Sequence, residues 1–138
     1  MQSWPDMEPK THLAADPALC GRVVEVGEGS AEVALDTTDA MVVDVEGLVH
    51  GGFVFGLADY AAMLAVNDPH VVLGSAQTRF LKPVRRGAQV VARARTTATK
   101  GRKHEVHVEA TVGQDTVFEG TFTCIALERH VLEPVGSE

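Results

Sequence analysis

Apolar residues recur along this chain with two different spacings, and these divide it into strands and one helix. Residues 22–26 and 31–37 read as strands joined by Gly27-Glu28-Gly29-Ser30, a hairpin signal. Ala31, Val33 and Leu35 alternate there with Glu32, Ala34 and Asp36. A polar turn at 37–39, a short apolar piece at 41–45 and a loop lead to His50. Residues 51–66, GGFVFGLADYAAMLAV, have the length and alanine/leucine content of a helix and are apolar nearly all round, which predicts burial. Asn67-Asp68-Pro69 stops it. Four strand candidates follow at 71–81, 88–99, 104–112 and 116–127, with breaks at 82–87, 100–102 and 113–115. Val106, Val108, Ala110 and Val112 face one way, and Glu105, His107, Glu109 and Thr111 the other. Phe118, Phe122 and Cys124 alternate in the same manner with Glu119, Thr121 and Thr123. This is the pattern of antiparallel strands with one wet face, and it places His107 on that face. Two strands, a buried helix and four strands predict an α+β domain, in which a curved antiparallel sheet of about six strands wraps one long helix. Residues 1–20, with three prolines, read as a flexible lead with a short turn or helix at 11–19. Residues 21–130 read as a single domain, and 131–138 as a tail.

At 138 residues the chain can bury a core without disulfides. Its 45% hydrophobic and 22% charged content is that of a soluble globular protein. The apolar run 53–66 is too short to cross a bilayer. The N-terminus has no basic and hydrophobic leader pattern, so a cytoplasmic protein with no membrane partner is expected. Cys20 and Cys124 make no disulfide framework, and the six histidines have no metal-ligand spacing, so no metal is expected. A net charge of −7 argues against nucleic acid as a partner. Nine of the twelve Lys and Arg nevertheless fall between Arg79 and Lys103, while ten of the nineteen acids fall in the first 46 residues. One basic region on an acidic chain suits a phosphorylated small molecule; the plainer reading is a set of solvated strand and turn charges.

Asp59 is the only charged side chain in the expected helix. A buried carboxylate is costly unless paired or hydrogen-bonded. His50-Gly51-Gly52 directly precedes the helix body, where free backbone N–H groups stand at the positive helix end. A carboxylate and an oxyanion donor together point to acyl-group chemistry.

The string GLVHGGFVFGLAD at 47–59 resembles the HGG-x(6)-D signature of hotdog-fold acyl-CoA thioesterases, of the phenylacetic-acid-pathway type. RFLKPVRRG at 79–87 is similar to that group's strand and turn, and GLVHGGFVFGLADYAAMLAVN at 47–67 looks like a small archaeal-type branch of hotdog proteins. The resemblance covers about residues 20–130 and implies the hotdog fold. It implies that Asp59 is the general base or nucleophile, that the Gly51 N–H polarises the thioester carbonyl, and that His50 shapes the turn. Where related enzymes carry an asparagine six residues before the histidine, this chain has Asp44, a second acid expected to raise the pKa of Asp59 by like-charge repulsion. Ser75 is the nearest candidate for a hydroxyl on the following strand. Gly52, Phe53 and Phe55 are expected to line the substrate site, and Arg85, Arg86, Lys100, Arg102 and Lys103 to meet coenzyme A phosphates. Coenzyme A enters as part of the acyl-CoA substrate, with no separate cofactor.

Gly51 and Asp59 are eight residues apart, roughly 12 Å along a helix axis. A general base works within about 3 Å of its proton. One thioester is therefore expected to sit between two chains, in an obligate homodimer that assembles further into a tetramer as a dimer of dimers. A hotdog dehydratase would want a D-x-N-P-x-H motif, which is absent. A non-catalytic acyl-CoA-binding or sensing module stays open as the alternative.

Overall fold

The computed structural model describes residues 7–134; the outermost parts of the expected lead and tail, 1–6 and 135–138, lie outside the described residues. A short helix α1 (Pro17–Cys20) precedes the hairpin β1 (Arg22–Gly27) and β2 (Ser30–Asp36). The long helix α2 (Gly51–Val66) follows, and then β3 (Val71–Phe80), β4 (Gln89–Lys100), β5 (Lys103–Val112) and β6 (Asp115–Ala126). The strands form one antiparallel sheet in the order β1-β2-β4-β5-β6-β3. The fold is α+β, a six-stranded antiparallel sheet and one main helix, as the residue pattern predicts.

The core lies between the sheet and α2. Val33, Leu35, Val90, Val106, Val108, Phe118 and Phe122 point inward from the strands and are fully buried, as are Leu57, Ala61 and Leu64 of the helix. Each such aliphatic or aromatic side chain contributes about 1.5–3 kcal/mol of transfer free energy. The other face is wet. Glu32, Arg93, Glu109, Glu119 and Arg79 stand in one cross-strand row from β2 to β3. Arg93 reaches Glu32 at 3.6 Å and Arg79 reaches Glu119 at 3.5 Å. His107 lies on this face, 3.5 Å from Glu109.

Helix α2 ends where the sequence says it must. Asn67 adopts the left-handed conformation at φ 55° and its N–H bonds back to the Met63 carbonyl at 2.8 Å. Its side chain accepts from the Lys10 N–H at 2.7 Å and donates to the Glu8 carbonyl at 3.0 Å, so the helix stop also clasps the arm before α1. Gly21 joins α1 to β1 at φ +104°, and a Cβ there would stand 2.8 Å from Val33 and 2.9 Å from Leu57. The expected turn or helix at 11–19 is a turn closed by the Ala15 N–H on the His12 carbonyl at 3.1 Å, followed by the helix Pro17–Cys20, in which Asp16 accepts the Ala18 N–H at 2.9 Å.

The two sheet edges differ. β1 is interrupted by a bulge between Val23 and Glu25, and its Val26 carbonyl accepts the Met7 N–H at 2.8 Å. β3 forms the opposite edge and runs in unbroken register with β6 from Ser75 to Phe80. An uncovered, regular edge is a template for another strand. Both cysteines are free, and no helix among the described residues is long and apolar enough to cross a membrane.

Candidate active site

Asp59 sits midway along α2, and its Oδ1 is buried without a hydrogen-bond partner, the one such side-chain oxygen or nitrogen among the described residues. Burial pushes its carboxyl up from the usual range to about 6. Asp44 has no part in this, contrary to the like-charge repulsion expected from the sequence. Its Oδ1 accepts the Glu46 N–H at 3.0 Å and the Leu48 N–H at 3.1 Å, which folds the loop before His50. Asp44 thus shapes the entry to the helix of its own chain, and within that chain burial is the cause of the Asp59 shift. Beneath α2, the Cys124 thiol is pushed up to about 12 by burial, then by the charges of Asp59 and Glu105.

His50 is the N-cap of α2, with extended backbone and no side-chain capping bond. Neither residue of the diglycine after it has positive φ, so what sets these positions apart is the close approach of two side chains. A Cβ on Gly51 would stand 3.1 Å from Cε2 of Phe80, and one on Gly52 would stand 3.2 Å from Nε2 of His50. Two rings therefore bracket the start of the helix, Phe80 over Gly51 and His50 over Gly52. His50 also meets the edge of Phe53 at 6.2 Å, while Phe55 leans on the core residue Phe122 at 5.5 Å. Gly52, Gly56 and Asp59 share one face of the helix at i, i+4 and i+7, and a Cβ on Gly56 would meet nothing within 4 Å. Gly51 and Asp59 belong to one uninterrupted helix, so their axial separation is about 12 Å.

Ser75 is not brought to this site. It is paired with Thr123 on the wet face, while Ala76, Thr78 and Phe80 of β3 face the same side as Phe122, Gly120 and Phe118. The hydroxyl on the helix side of β3 is that of Thr78, which sequence reasoning missed. The bulge between Leu73 and Ser75 shifts the strand by one residue, and Gly74 was the only signal of it.

The basic candidates separate into two groups. Arg85 and Arg86 lie in the loop beside Gly47, where the Arg86 N–H meets the Gly47 carbonyl at 2.8 Å, at the Gly51 end of the molecule. Lys100, Arg102 and Lys103 lie in the β4–β5 turn, level with Ile125 and Val72 at the other end of β3. The eight residue steps from Val72 to Phe80 span roughly 26 Å at strand rise. Arg86 is paired with Asp39 at 3.3 Å and Arg102 with Glu128, whereas Arg85, Lys100 and Lys103 have no carboxylate partner among the described residues. A depression of about 450 Å³ bordered by Glu32, Arg93, Arg95 and His107 lies on the wet face, across the sheet from Asp59. Among the described residues, no three His, Cys, Asp or Glu side chains are grouped to hold a metal ion.

Known proteins resemble this chain throughout. The family described as thioesterase superfamily matches residues 46–119, which contain the diglycine, Asp59 and Phe80. A methylthioribose-1-phosphate isomerase of Aquifex aeolicus is 50% identical over 121 residues, 88% of this chain but 26% of that protein. The transcription factor FapR of Caldanaerobacter subterraneus is 28% identical over 125 residues, 90% of this chain and 62% of that protein. The chain thus spans about a quarter of the first relative and under two thirds of the second. Among solved structures, the uncharacterized protein PH1136 from Pyrococcus horikoshii superposes with a TM-score of 0.93 at 50% identity, covering 94% of this chain and 100% of that one. A mutant of the phenylacetic acid degradation protein PaaI from Thermus thermophilus superposes at 0.73 with 32% identity, covering 81% and 100%. The strand order, the helix with its diglycine start and mid-helix acid, and the family match over more than half the sequence agree: this chain is a hotdog-fold member of the thioesterase superfamily.

Proposed function

We propose that this chain hydrolyses an acyl-CoA thioester at a site shared by two subunits. The observation that carries the reading is the Asp59 Oδ1 atom, buried and without a partner in a single chain. A carboxylate so placed is costly to keep, and a partner group or a reacting water across a subunit boundary would give it a use. The regular β3 edge supplies the means of association. Two β3 strands paired antiparallel about a two-fold axis put the Phe80 end of one beside the Val71 end of the other. The Gly51 N–H of one subunit then approaches the other subunit's Asp59, and the Arg85 loop of one approaches the Lys100–Lys103 turn of the other. Arg85, Lys100 and Lys103, which have no carboxylate partner among the described residues, are the basic candidates most available to meet coenzyme A phosphates. A tetramer built from two such dimers, in the cytoplasm, belongs to the same reading.

In the reaction, ionised Asp59 takes a proton from water, or itself attacks the thioester carbon. The carbonyl oxygen gains negative charge and accepts a hydrogen bond from the Gly51 N–H. With water as the attacker, its oxygen bonds to the carbonyl carbon, the C–S bond breaks, and Asp59 returns the proton to the sulfur. Coenzyme A then leaves as the thiol and the acyl group as the carboxylic acid. With direct attack, the C–S bond breaks to give an acyl–Asp59 anhydride, and water then cleaves it to the carboxylic acid and supplies the proton for the thiol. A second reading, an acyl-CoA-binding or sensing module without turnover, is favoured by the likeness to a transcription factor over 90% of the chain. The deciding experiment is a free-thiol assay with short, long and aromatic acyl-CoAs on the wild type and Asp59→Asn. Turnover lost in the variant supports hydrolysis; tight binding with no turnover across the panel supports sensing; equal turnover in both removes Asp59 from the chemistry.

A further inference from the structure

The ring of Phe80 stands where a side chain on Gly51 would point, with Cε2 3.1 Å from the Cβ position. In a helix the Cα–Cβ bond tilts toward the N-terminus, and the free N–H groups of the first turn point the same way. Phe80 therefore borders the space into which the Gly51 N–H looks. The ring is held from behind, edge to face against the buried Phe118 at 5.1 Å and 76°. Its own surface is 56% exposed in one chain, although β3 places it on the helix side of the sheet. A large aromatic backed by Phe118, set against Gly51 and more than half exposed is a wall and not a core residue.

We propose that Phe80 determines which acyl groups this chain accepts, by excluding those branched at the carbon next to the thioester carbonyl. The inference rests on the thioester reading above. A carbonyl oxygen bonded to the Gly51 N–H lies about 2.9 Å from that nitrogen. The carbonyl carbon and then the α-carbon follow within two bond lengths, so a substituent on the α-carbon projects beside the Gly51 Cα. There it meets the Phe80 ring. A straight chain leaves along α2 toward Gly56, where a Cβ would meet nothing within 4 Å, with the His50 ring over Gly52 bordering the path. Phe80 is a specificity-determining residue in this scheme and takes no part in proton transfer.

The test compares butanoyl-CoA with 2-methylpropanoyl-CoA, equal in carbon number and different in branching. kcat/KM and calorimetric Kd are measured for the wild type, Phe80→Ala, Phe80→Leu and Phe80→Trp. The wild type is expected to favour the straight chain by at least about tenfold, the scale on which an apolar pocket senses one methyl group. Phe80→Ala is expected to bring the two substrates within about threefold, Phe80→Leu to fall between, and Phe80→Trp to widen the gap. Melting curves check that the variants are folded. An unchanged ratio in folded Phe80→Ala overturns the proposal and leaves the hydrolase reading standing. If the wild type binds both thioesters without turnover, the hydrolase reading fails and the Kd ratio decides on Phe80 in the same way. If it neither binds nor hydrolyses either thioester, the Phe80 proposal falls, and the hydrolase reading is decided by the long and aromatic acyl-CoAs of the panel above.

Discussion

The Asp59 carboxylate lies close enough to the Cys124 thiol for its charge to add to burial in pushing that thiol up to about 12. Only the thiolate reacts readily with alkylating reagents. Cys124 is fully buried beneath α2, whereas Cys20 at the end of α1 is half-buried. In native protein at pH 8, iodoacetamide is expected to modify Cys20 alone, with Cys124 reacting only after denaturation. Peptide mass mapping checks this, and native labelling of Cys124 would contradict the packing of β6 under the helix.

The Asp59 carboxyl titrates at about 6 because it is desolvated. A base of this kind is active only when ionised, so kcat/KM is expected to rise with pH through an acid limb centred near 6 and to level off above it. An unperturbed aspartate would place that limb near 4. A pH–rate profile taken between 4 and 8 distinguishes the two positions, and the limb should be absent from any residual activity of Asp59→Asn.

The same shift has a consequence for stability. A pKa raised from 3.8 to about 6 means that the folded chain holds the proton more tightly than the unfolded chain. Stability should therefore fall as pH rises from about 4 to about 6, by about 2–3 kcal/mol, and stay reduced above that. Asp59→Asn removes the titration. The variant is expected to be more stable than the wild type at pH 7.5 and to show no such advantage at pH 3.5. Urea unfolding at the two pH values measures the difference, and equal offsets at both would show that the carboxylate is not desolvated in the folded protein.

Most of the fold was legible in the sequence because period and punctuation agreed. Val106 to Val112 and Phe118 to Cys124 alternate without a fault, and Asn67-Asp68-Pro69 stops the helix, so β5, β6 and α2 fall within a residue or so of their expected bounds. The acid in the helix and the diglycine before it were legible for the same reason: each is chemically out of place in its segment. What was not legible depends on backbone turns, a bulge and strand pairing that the hydrophobic period does not carry. Asp44 reads as a second acid near the site, but its side chain is engaged by the Leu48 N–H, and local sequence does not show that bond. Ser75 reads as the hydroxyl of β3, but the bulge at Gly74 turns it away and presents Thr78. Phe80 reads as one more alternating apolar residue; only the pairing of β3 with β6 brings its ring to Gly51.

Gly21 carries a structural prediction independent of the chemistry. Its backbone is in the left-handed half of conformational space at φ +104°, and a Cβ would press on Val33 Cγ1 at 2.8 Å, Leu57 Cδ1 at 2.9 Å and the Ala34 carbonyl oxygen at 3.1 Å. Both buried side chains belong to the core, so none of the three neighbours has room to move. Strain and overpacking each cost about 1–3 kcal/mol. Gly21→Ala is expected to lose at least about 2 kcal/mol, measured by urea unfolding. Gly51→Ala, whose nearest neighbour is the exposed Phe80 ring, should change stability by less than about 1 kcal/mol.

A shared site makes a prediction that a site within one chain cannot. Asp59→Asn removes the base, and Gly51→Val places a branched side chain where the Phe80 ring stands and obstructs the N–H; each variant alone is expected to be inactive. In a mixed dimer the Asp59→Asn chain still offers Gly51 and the Gly51→Val chain still offers Asp59, so one of the two sites is whole and the other carries both lesions. With random exchange half of the dimers are mixed, and an equal mixture of the two proteins, dissociated and reassociated together, should recover about a quarter of wild-type turnover per chain. The measurement is thiol release before and after exchange, with each variant carried through the same cycle alone as a control. If Gly51 and Asp59 of the same chain serve one thioester, no mixture regains activity, because every site then contains one of the lesions.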